Sequence, residues 1–367
     1  MRSVAVFTDT YLPTVNGVTY TVKAWRDCWA DRGGRMDVVY PRTDGYAARV
    51  GEYPVRSLPF PFYPGFRIGI PWIPRRVRDV DIVHAHTPFA VGLAGLRLAR
   101  TRDCPFVASY HTPTAEYADY VAPGDAVETL LERGSERYER WFLDRADAIL
   151  APSDATAAHL TDEVGVETPV TVIPNGIDTE RFRPVDAEAF RARHGLDDAD
   201  TLIGYTGRHG YEKRLGDLVD AAAELDATVV FGGDGPARSE LEQRAVERGV
   251  DARFLGFLDR EELPAFYSAL DAFVFPSPVE TQGLVALEAN ACGTPVVGAN
   301  DGALADTVED GVTGYHFETG DVASLRQSIR RTLAERDELR RSCLDRRERH
   351  GVDRAVDRLT DVYERLS

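Results

Sequence analysis

Lysine is almost missing from this chain: of 367 residues only Lys23 and Lys213 are lysine, and every other basic side chain is arginine. Sixty acidic residues against 43 basic ones leave a net charge of −17. That balance excludes a nucleic-acid backbone as partner and any general attraction to anionic surfaces. A GC-rich genome replaces lysine by arginine but does not add an acidic excess. A salt-rich, halophilic cytoplasm accounts for both, because a hydrated acidic surface stays soluble there. Cysteine is equally sparse. Cys28, Cys104, Cys292 and Cys343 are scattered with no C-x-x-C spacing, which excludes a disulfide framework or a zinc site and predicts a reducing compartment. No run of eighteen apolar residues occurs, and Met1 leads directly into Val4-Ala5-Val6-Phe7 with no signal-type segment, so a cytoplasmic location is expected. P-loop, H-E-x-x-H and Ser-His-Asp patterns are all missing.

The length predicts two domains. Apolar runs at 4–8, 36–40, 81–85, 105–110 and 146–151 alternate with helical stretches near 18–31, 89–100, 126–143 and 154–163. The second half repeats the design, with runs at 201–206, 228–232, 252–257, 271–275 and 295–298 between helices near 215–224, 237–248, 261–269, 284–291 and 321–334. Such alternation predicts an α/β fold of two doubly wound, Rossmann-like parallel-sheet domains. Pro174-Asn175-Gly176 is turn chemistry and marks the hinge. The expected division is 1–174, then 175–350, with an amphipathic helix at 351–367 crossing back to the first domain. Ligands bind doubly wound sheets at the carboxyl ends of their strands, so a central cleft faced by both domains is where chemistry is expected.

The most informative residues are Glu280 and Glu288 in Val279-Glu280-Thr281-Gln282-Gly283-Leu284-Val285-Ala286-Leu287-Glu288. They bracket a strand-to-helix junction. The helix start at Gly283, Leu284 and Val285 offers unpaired backbone amides and the positive end of a dipole, which together bind anions. Carboxylates flanking such a place do not neutralise the anion, but they accept hydrogen bonds from hydroxyls, and sugar hydroxyls are the natural partners. Gly17, in Tyr11-Leu12-Pro13-Thr14-Val15-Asn16-Gly17-Val18 after the first strand, can bring its N–H to a phosphate oxygen. Arg208 and Lys213 share the loop after the first strand of the second half. Phe231-Gly232-Gly233-Asp234-Gly235-Pro236 is a glycine turn that resembles a dinucleotide fingerprint only loosely, and no well-placed acid follows it. Among the histidines, His84 and His86 flank Ala85 at a strand end, and one is expected packed and one facing the cleft. His111, at a strand's carboxyl end, is the histidine expected to touch a ligand.

Together these blocks resemble the retaining family-4 glycosyltransferases, the group-1 kind with the GT-B fold, over nearly the whole chain. The resemblance rests on Phe7-Thr8-Asp9-Thr10-Tyr11-Leu12-Pro13 with Asn16-Gly17-Val18, Ala85-His86-Thr87-Pro88-Phe89, Tyr110-His111-Thr112, Pro174-Asn175-Gly176-Ile177-Asp178, Gly207-Arg208 with Lys213, Gly233-Asp234-Gly235-Pro236, Phe254-Leu255-Gly256 and the Glu280/Glu288 pair, in the family's order. It implies that Arg208 and Lys213 grip the diphosphate of a nucleotide-sugar donor, and that Gly17 and the amides after Gly283 complete the cradle. It further implies Glu288 on the ribose hydroxyls, Glu280 on the transferred sugar and His111 beside that sugar. No metal or other cofactor is expected, and the route implied is front-face attack with retention, a phosphate oxygen taking the acceptor's proton. Two positions depart from the pattern: Gln282 stands where phenylalanine is usual, and His209-Gly210-Tyr211 replaces an apolar filling.

Leu58-Pro59-Phe60-Pro61-Phe62-Tyr63-Pro64-Gly65-Phe66-Arg67-Ile68-Gly69-Ile70-Pro71-Trp72, followed by Arg75, Arg76 and Arg78, is apolar and basic. Phe62, Trp72, Arg75 and Arg76 are therefore expected on the acceptor side, with a membrane lipid as acceptor and peripheral contact with the inner membrane face. The alternatives are transfer to a soluble or polyprenyl-linked glycan, and a nucleotide-sugar 2-epimerase, which would need a set of acids and histidines this chain does not present.

Overall fold

Strands covered on both faces must be apolar at consecutive positions, and the short runs read from the sequence meet that demand. The computed structural model describes residues 1–60, 67–111 and 125–366, with side chains from residue 134 in the last segment. It divides into two compact units, Met1–Gly176 with Val352–Ser367, and Ile177–Gly351. The divisions thus fall after Gly176 and Gly351, where the sequence placed them after Pro174 and His350.

In the first unit the strands are β1 (Ser3–Phe7), β2 (Arg35–Pro41), β3 (Glu52–Val55), β4 (Ser57–Pro59), β5 (Arg67–Gly69), β6 (Ile82–Ala85), β7 (Phe106–Ser109), β8 (Ala148–Ala151) and β9 (Val170–Val172). Seven form one sheet in the order β3-β2-β1-β6-β7-β8-β9, parallel throughout, and β4 and β5 form a separate antiparallel ribbon. Helices α1 (Gly17–Asp31), α2 (Ala90–Arg102), α3 (Asp125–Leu143) and α4 (Asp154–Ala158) connect them. Asn16 starts α1 by accepting from Thr19 N–H at 2.8 Å, and Ser153 starts α4 through Thr156 N–H at 3.1 Å. Both are the short polar side chains that satisfy orphan amides best.

The second unit carries β10 (Leu202–Thr206), β11 (Thr228–Gly232), β12 (Ala252–Gly256), β13 (Ala272–Phe275), β14 (Val296–Ala299) and β15 (Gly314–Phe317), in the order β12-β11-β10-β13-β14-β15, again all parallel. Its helices are α5 (Glu188–Arg193), α6 (Leu215–Ala222), α7 (Arg238–Arg248), α8 (Leu263–Ala269), α9 (Leu284–Ala291), α10 (Gly302–Thr307), α11 (Val322–Ala334) and α12 (Arg336–Arg346). In both sheets the winding starts at a central strand, runs to one edge, then restarts on the other side of it. The reversal lies between β1 and β6 in one unit, and between β10 and β13 in the other.

The final helix, α13 (Val352–Arg365), belongs to the first unit. Its buried face, Ala355, Val356, Leu359, Val362 and Tyr363, repeats at helical spacing and packs with Val22, Trp25 and Trp29 of α1 on one side of the sheet. Arg32 ties it down further through Asp353 at 2.9 Å and Asp357 at 2.6 Å. Tyr363 reaches beneath the sheet, where its hydroxyl is hydrogen-bonded to His84 Nδ1 at 2.7 Å, while Ser109 Oγ takes His84 Nε2 at 2.8 Å.

His84 is completely buried, and burial pushes its pKa down to about 3. In the unfolded chain an imidazole titrates near pH 6.5, roughly. From there downward the unfolded state takes up a proton that the native state refuses. The stability His84 contributes is therefore complete above that pH and is lost as pH falls toward 3, at up to about 1.4 kcal/mol per pH unit. All four tryptophans, Trp25, Trp29, Trp72 and Trp141, lie in the first unit, so their fluorescence follows that unit alone. Denaturant unfolding between about pH 7.5 and 5 should show wild type weakening with acid, and His84→Asn weaker at the outset but with a shallower pH dependence. Equal slopes would show that His84 is not the group that takes up the proton.

Candidate functional site

A doubly wound sheet opens a crevice where its order reverses, because the two loops leaving the adjacent strands turn to opposite faces. In the second unit those loops follow β10 and β13. The β10 loop runs Gly207-Arg208-His209-Gly210 into a single 3-10 turn, Tyr211–Lys213, and Arg214 in the left-handed region at φ +52° turns it into α6. The β13 loop runs from Pro276 to Gly283. Lys213 Nζ joins them, lying 2.7 Å from Glu280 Oε1 and 3.5 Å from the Val279 carbonyl oxygen. Arg208 is paired with Glu212 at 2.6 Å on the same loop. Arg208, Lys213 and Glu280, separated by up to 72 positions in sequence, are thus gathered at one reversal point.

Gly283 ends the β13 loop at φ +74°, a conformation that favours glycine, and opens α9 with no side-chain cap. The first amides of that helix, at Leu284 and Val285, precede its first internal hydrogen bond, Ala286 N–H to the Gly283 carbonyl at 2.9 Å. Gln282, beside Gly283, is buried, and its carbonyl accepts from Thr307 Oγ1 at 2.5 Å. Glu288, one turn along α9, is buried too. Its Oε1 is 3.1 Å from Arg260 and its Oε2 accepts from Tyr267 Oη at 3.0 Å. Burial pushes its carboxyl above the usual range, and Arg260 with Tyr267 pull it back. The Arg260 guanidinium also lies 4.9 Å over the Phe182 ring, which fixes its plane.

The glycines after β11 have a packing role. A Cβ on Gly233 would stand 2.0 Å from the Gly207 carbonyl oxygen, so the β10 and β11 loops approach closely only because Gly233 has no side chain. His209 fills the space beneath, completely buried between Tyr205, Phe231 and Phe254. An imidazole thus occupies the place where the resemblance led one to expect an apolar side chain.

In the first unit the reversal lies between β1 and β6. Asp9, just past β1, is buried and accepts from Thr87 Oγ1 at 2.7 Å and from the amides of Val91 and Gly92 at 2.9 and 3.3 Å. It ties the β1 loop to the first turn of α2. Burial raises its pKa to about 6 against those hydrogen bonds. Gly17 is the first residue of α1, directly after the Asn16 cap. His111, just past β7, has its Nε2 2.8 Å from His86 Nδ1. Burial pushes the His111 pKa down to about 4 and that of His86 well below the ordinary value. The expected split into one packed and one cleft-facing histidine does not hold, since His84 and His86 are both buried. Positions two apart share one face of a strand, and the two rings accordingly lie 4.2 Å apart on the same side.

Trp72 is 56% exposed, and Arg75 and Arg76 are exposed on a 3-10 turn after it. The β4/β5 ribbon places Leu58 directly opposite Ile68, both exposed, and Ile70 is exposed beside them. Phe62 lies outside the described residues. Among the described residues no helix is long and apolar enough to cross a membrane, and no three His, Cys, Asp or Glu side chains gather as a metal site would require.

The structure adds Arg260 and Tyr267 to the residues read from sequence, and it gives Asp9 and His86, which the sequence marked only within their motifs, their partners. Arg260 is one arginine among many, and its partner lies 28 positions away.

Two family profiles match in succession: Glycosyltransferase Family 4 over residues 15–181 and Glycosyl transferases group 1 over residues 186–349. The 2-deoxystreptamine glucosyltransferase of Streptomyces kanamyceticus is 33% identical over 272 residues, 71% of this chain and 70% of that protein. Alpha-monoglucosyldiacylglycerol synthase of Streptococcus pneumoniae is 29% identical over 335 residues, 85% and 74% of the two chains. Among solved structures, Anabaena HepE in complex with UDP-glucose superposes with a TM-score of 0.78 at 19% identity, covering 100% of both chains. The two parallel-sheet α/β domains, their switch-point loops and these matches lead to one assignment: the chain belongs to the family-4, group-1 glycosyltransferases of the GT-B fold and is a sugar-transferring enzyme.

Proposed function

We propose that the enzyme takes a sugar from a nucleoside-diphosphate donor and passes it to a hydroxyl acceptor with retention, without a metal ion, and that the acceptor is a membrane lipid. The observation that carries the donor assignment is the pairing of Lys213 with Glu280 at 2.7 Å on the reversal point of the second sheet. A cation and a carboxylate on adjacent loops suit the two halves of a sugar diphosphate: Lys213 and Arg208 take the phosphate charge, and Glu280 accepts from sugar hydroxyls. The amides of Gly283, Leu284 and Val285 complete the anion cradle. Glu288, held between Arg260 and Tyr267, keeps lone pairs for ribose hydroxyls. HepE was solved with UDP-glucose, which supports a nucleotide sugar here by family likeness.

As the glycosidic bond lengthens, negative charge collects on the departing phosphate. Lys213, Arg208 and the start of α9 are already in place to receive it, which is where preorganised electrostatics acts most strongly. The acceptor hydroxyl attacks from the face the phosphate leaves, a phosphate oxygen takes its proton, and His111 contacts the transferred sugar. No protein base is required on the acceptor.

For the acceptor, the opposed pair Leu58 and Ile68, with Ile70, Trp72, Arg75 and Arg76, makes an exposed apolar and basic patch on an acidic protein. That chemistry suits a lipid surface, and alpha-monoglucosyldiacylglycerol synthase is a relative. A second reading, transfer to a water-soluble acceptor, is favoured by the 2-deoxystreptamine glucosyltransferase relative.

If Lys213 carries leaving-group charge, Lys213→Ala should lower kcat/KM by roughly 10²-fold or more with folding intact. Near-normal turnover would reduce Lys213 to a structural ion pair. Activity should survive EDTA, and an α-configured donor should give an α-linked product by anomeric coupling. A β-linked product would overturn the front-face route. Flotation with liposomes decides the acceptor side. At about 1 M salt the Debye length is roughly 3 Å, so the apolar term dominates. Wild type should co-float and Ile68→Ser with Trp72→Ser should not, while both still hydrolyse the same nucleotide sugar. Wild type that stays at the bottom with every lipid tried would favour the soluble acceptor.

A further inference from the structure

We propose that Tyr267 is a positioning residue for the donor nucleotide: with its hydroxyl on one Glu288 oxygen and Arg260 on the other, it holds the carboxylate so that each oxygen keeps a lone pair for one hydroxyl of a vicinal diol, and thereby sets a preference for ribonucleotides over 2′-deoxyribonucleotides. This rests on the reading above that Glu288 binds the ribose.

The two residues stand on successive helices, Tyr267 on α8 and Glu288 on α9, 21 positions apart. A glutamate carboxyl turns easily about its last torsion, which is broad and roughly two-fold, so an untethered Glu288 would present its oxygens in many directions. Here both oxygens are engaged. Tyr267 Oη donates to Oε2 at 3.0 Å, and Arg260 lies 3.1 Å from Oε1. Among the described residues these are the hydrogen-bonding partners of that carboxylate. An ionised carboxylate carries two lone pairs on each oxygen, so one per oxygen is taken and one per oxygen remains. Two acceptors fixed in one plane match two neighbouring hydroxyls, and a sugar that lacks either hydroxyl leaves a buried acceptor without its donor. The phenol can serve only as the donor in this pair. Tyr267 is completely buried, and burial, with the Glu288 charge added to it, pushes its pKa well above the ordinary value, so the hydroxyl keeps its proton. Its ring is also confined. Phe266, Phe273 and Phe182 pack around it with centroids at 5.5, 5.7 and 6.1 Å, and its carbonyl accepts from Thr294 Oγ1 at 2.6 Å. The Arg260 side chain is 21% exposed, so the phenol is the more rigid of the two anchors.

The test is calorimetric binding of UDP, GDP and ADP and of their 2′-deoxy forms, read on the base that wild type binds most tightly. Calorimetry reports Kd separately from the fraction of protein able to bind, so a partly misfolded variant does not imitate a lost preference, and circular dichroism melting checks the fold. Wild type should bind the ribonucleotide about 10-fold or more tightly than the deoxy form. Tyr267→Phe removes a single oxygen and should cut that preference by about 3-fold or more through weaker ribonucleotide binding, with the deoxy form changed less than about 2-fold. Glu288→Gln should cut the preference too, and adding Tyr267→Phe to Glu288→Gln should change it no further, because Tyr267 acts through the carboxylate. A wild-type preference in folded Tyr267→Phe, or a further loss in the double variant, overturns the proposal and leaves Glu288 at the ribose. Equal Kd values for the two forms in wild type, an unchanged preference in Glu288→Gln, or failure of all three nucleotides to bind takes the ribose away from Glu288 and the proposal with it.

Discussion

A parallel sheet that winds outward from its centre must reverse once, and at that reversal two loops leave neighbouring strands toward opposite faces. Both units of this protein obey the constraint, and each puts its polar chemistry there. In the second unit the crevice is spanned by Lys213 and Glu280. In the first, Asp9 and Thr87 bind the β1 loop to the start of α2. Neither arrangement needs long-range recognition between loops beyond what strand order already imposes. The glycines of the β11 turn serve the same end, letting that loop come against the carbonyl of Gly207 so that the β10 loop stays where the winding put it.

Burial disfavours the charged form of Glu288 and of the histidines near these loops. Glu288 sits buried on α9 with a guanidinium on one oxygen and a phenol on the other, and removal of either partner would leave a buried carboxylate short of a donor. The histidines reach the opposite solution. Burial disfavours their charged forms, and they persist as neutral rings joined by hydrogen bonds, with α13 closing the far end through Tyr363. The helix that ends the chain is therefore part of the support beneath His84 and, through the ring contact, of His86.

Much of this was legible in the sequence, because apolar period and glycine placement are local signals. The strands β1, β2, β6, β7 and β8, and β10 through β14, fall where the apolar runs lie, and α9 starts at Gly283 as its turn chemistry demands. What escaped was short or polar. Glu52-Tyr53-Pro54-Val55 carries a proline and a glutamate yet forms the edge strand β3, where a missing N–H costs least. Val170-Thr171-Val172 is too short to stand out, and α12, Arg336–Arg346, buries only Leu339 and Cys343, so its apolar period is nearly silent. Partners distant in sequence were invisible for another reason: nothing local marks Arg260 as the ion-pair partner of Glu288, and the contact of His86 with His111 emerges only once β6 and β7 are known to be neighbours.

The two lysines separate along the same line. Lys23 lies on the outer face of α1 and pairs with Asp27 one turn away at 2.5 Å, with both side chains a third or more exposed, an arrangement arginine would serve as well. Lys213 lies less than a fifth exposed, between a carboxylate on the β13 loop and a backbone carbonyl beside it. The ammonium is a compact point charge with rotatable donors, so it can serve a carboxylate and a carbonyl at once. A guanidinium is a planar fork that prefers one bidentate partner. In a chain whose positive charge is otherwise nearly all arginine, the geometry at Lys213 suits a point charge better than a fork.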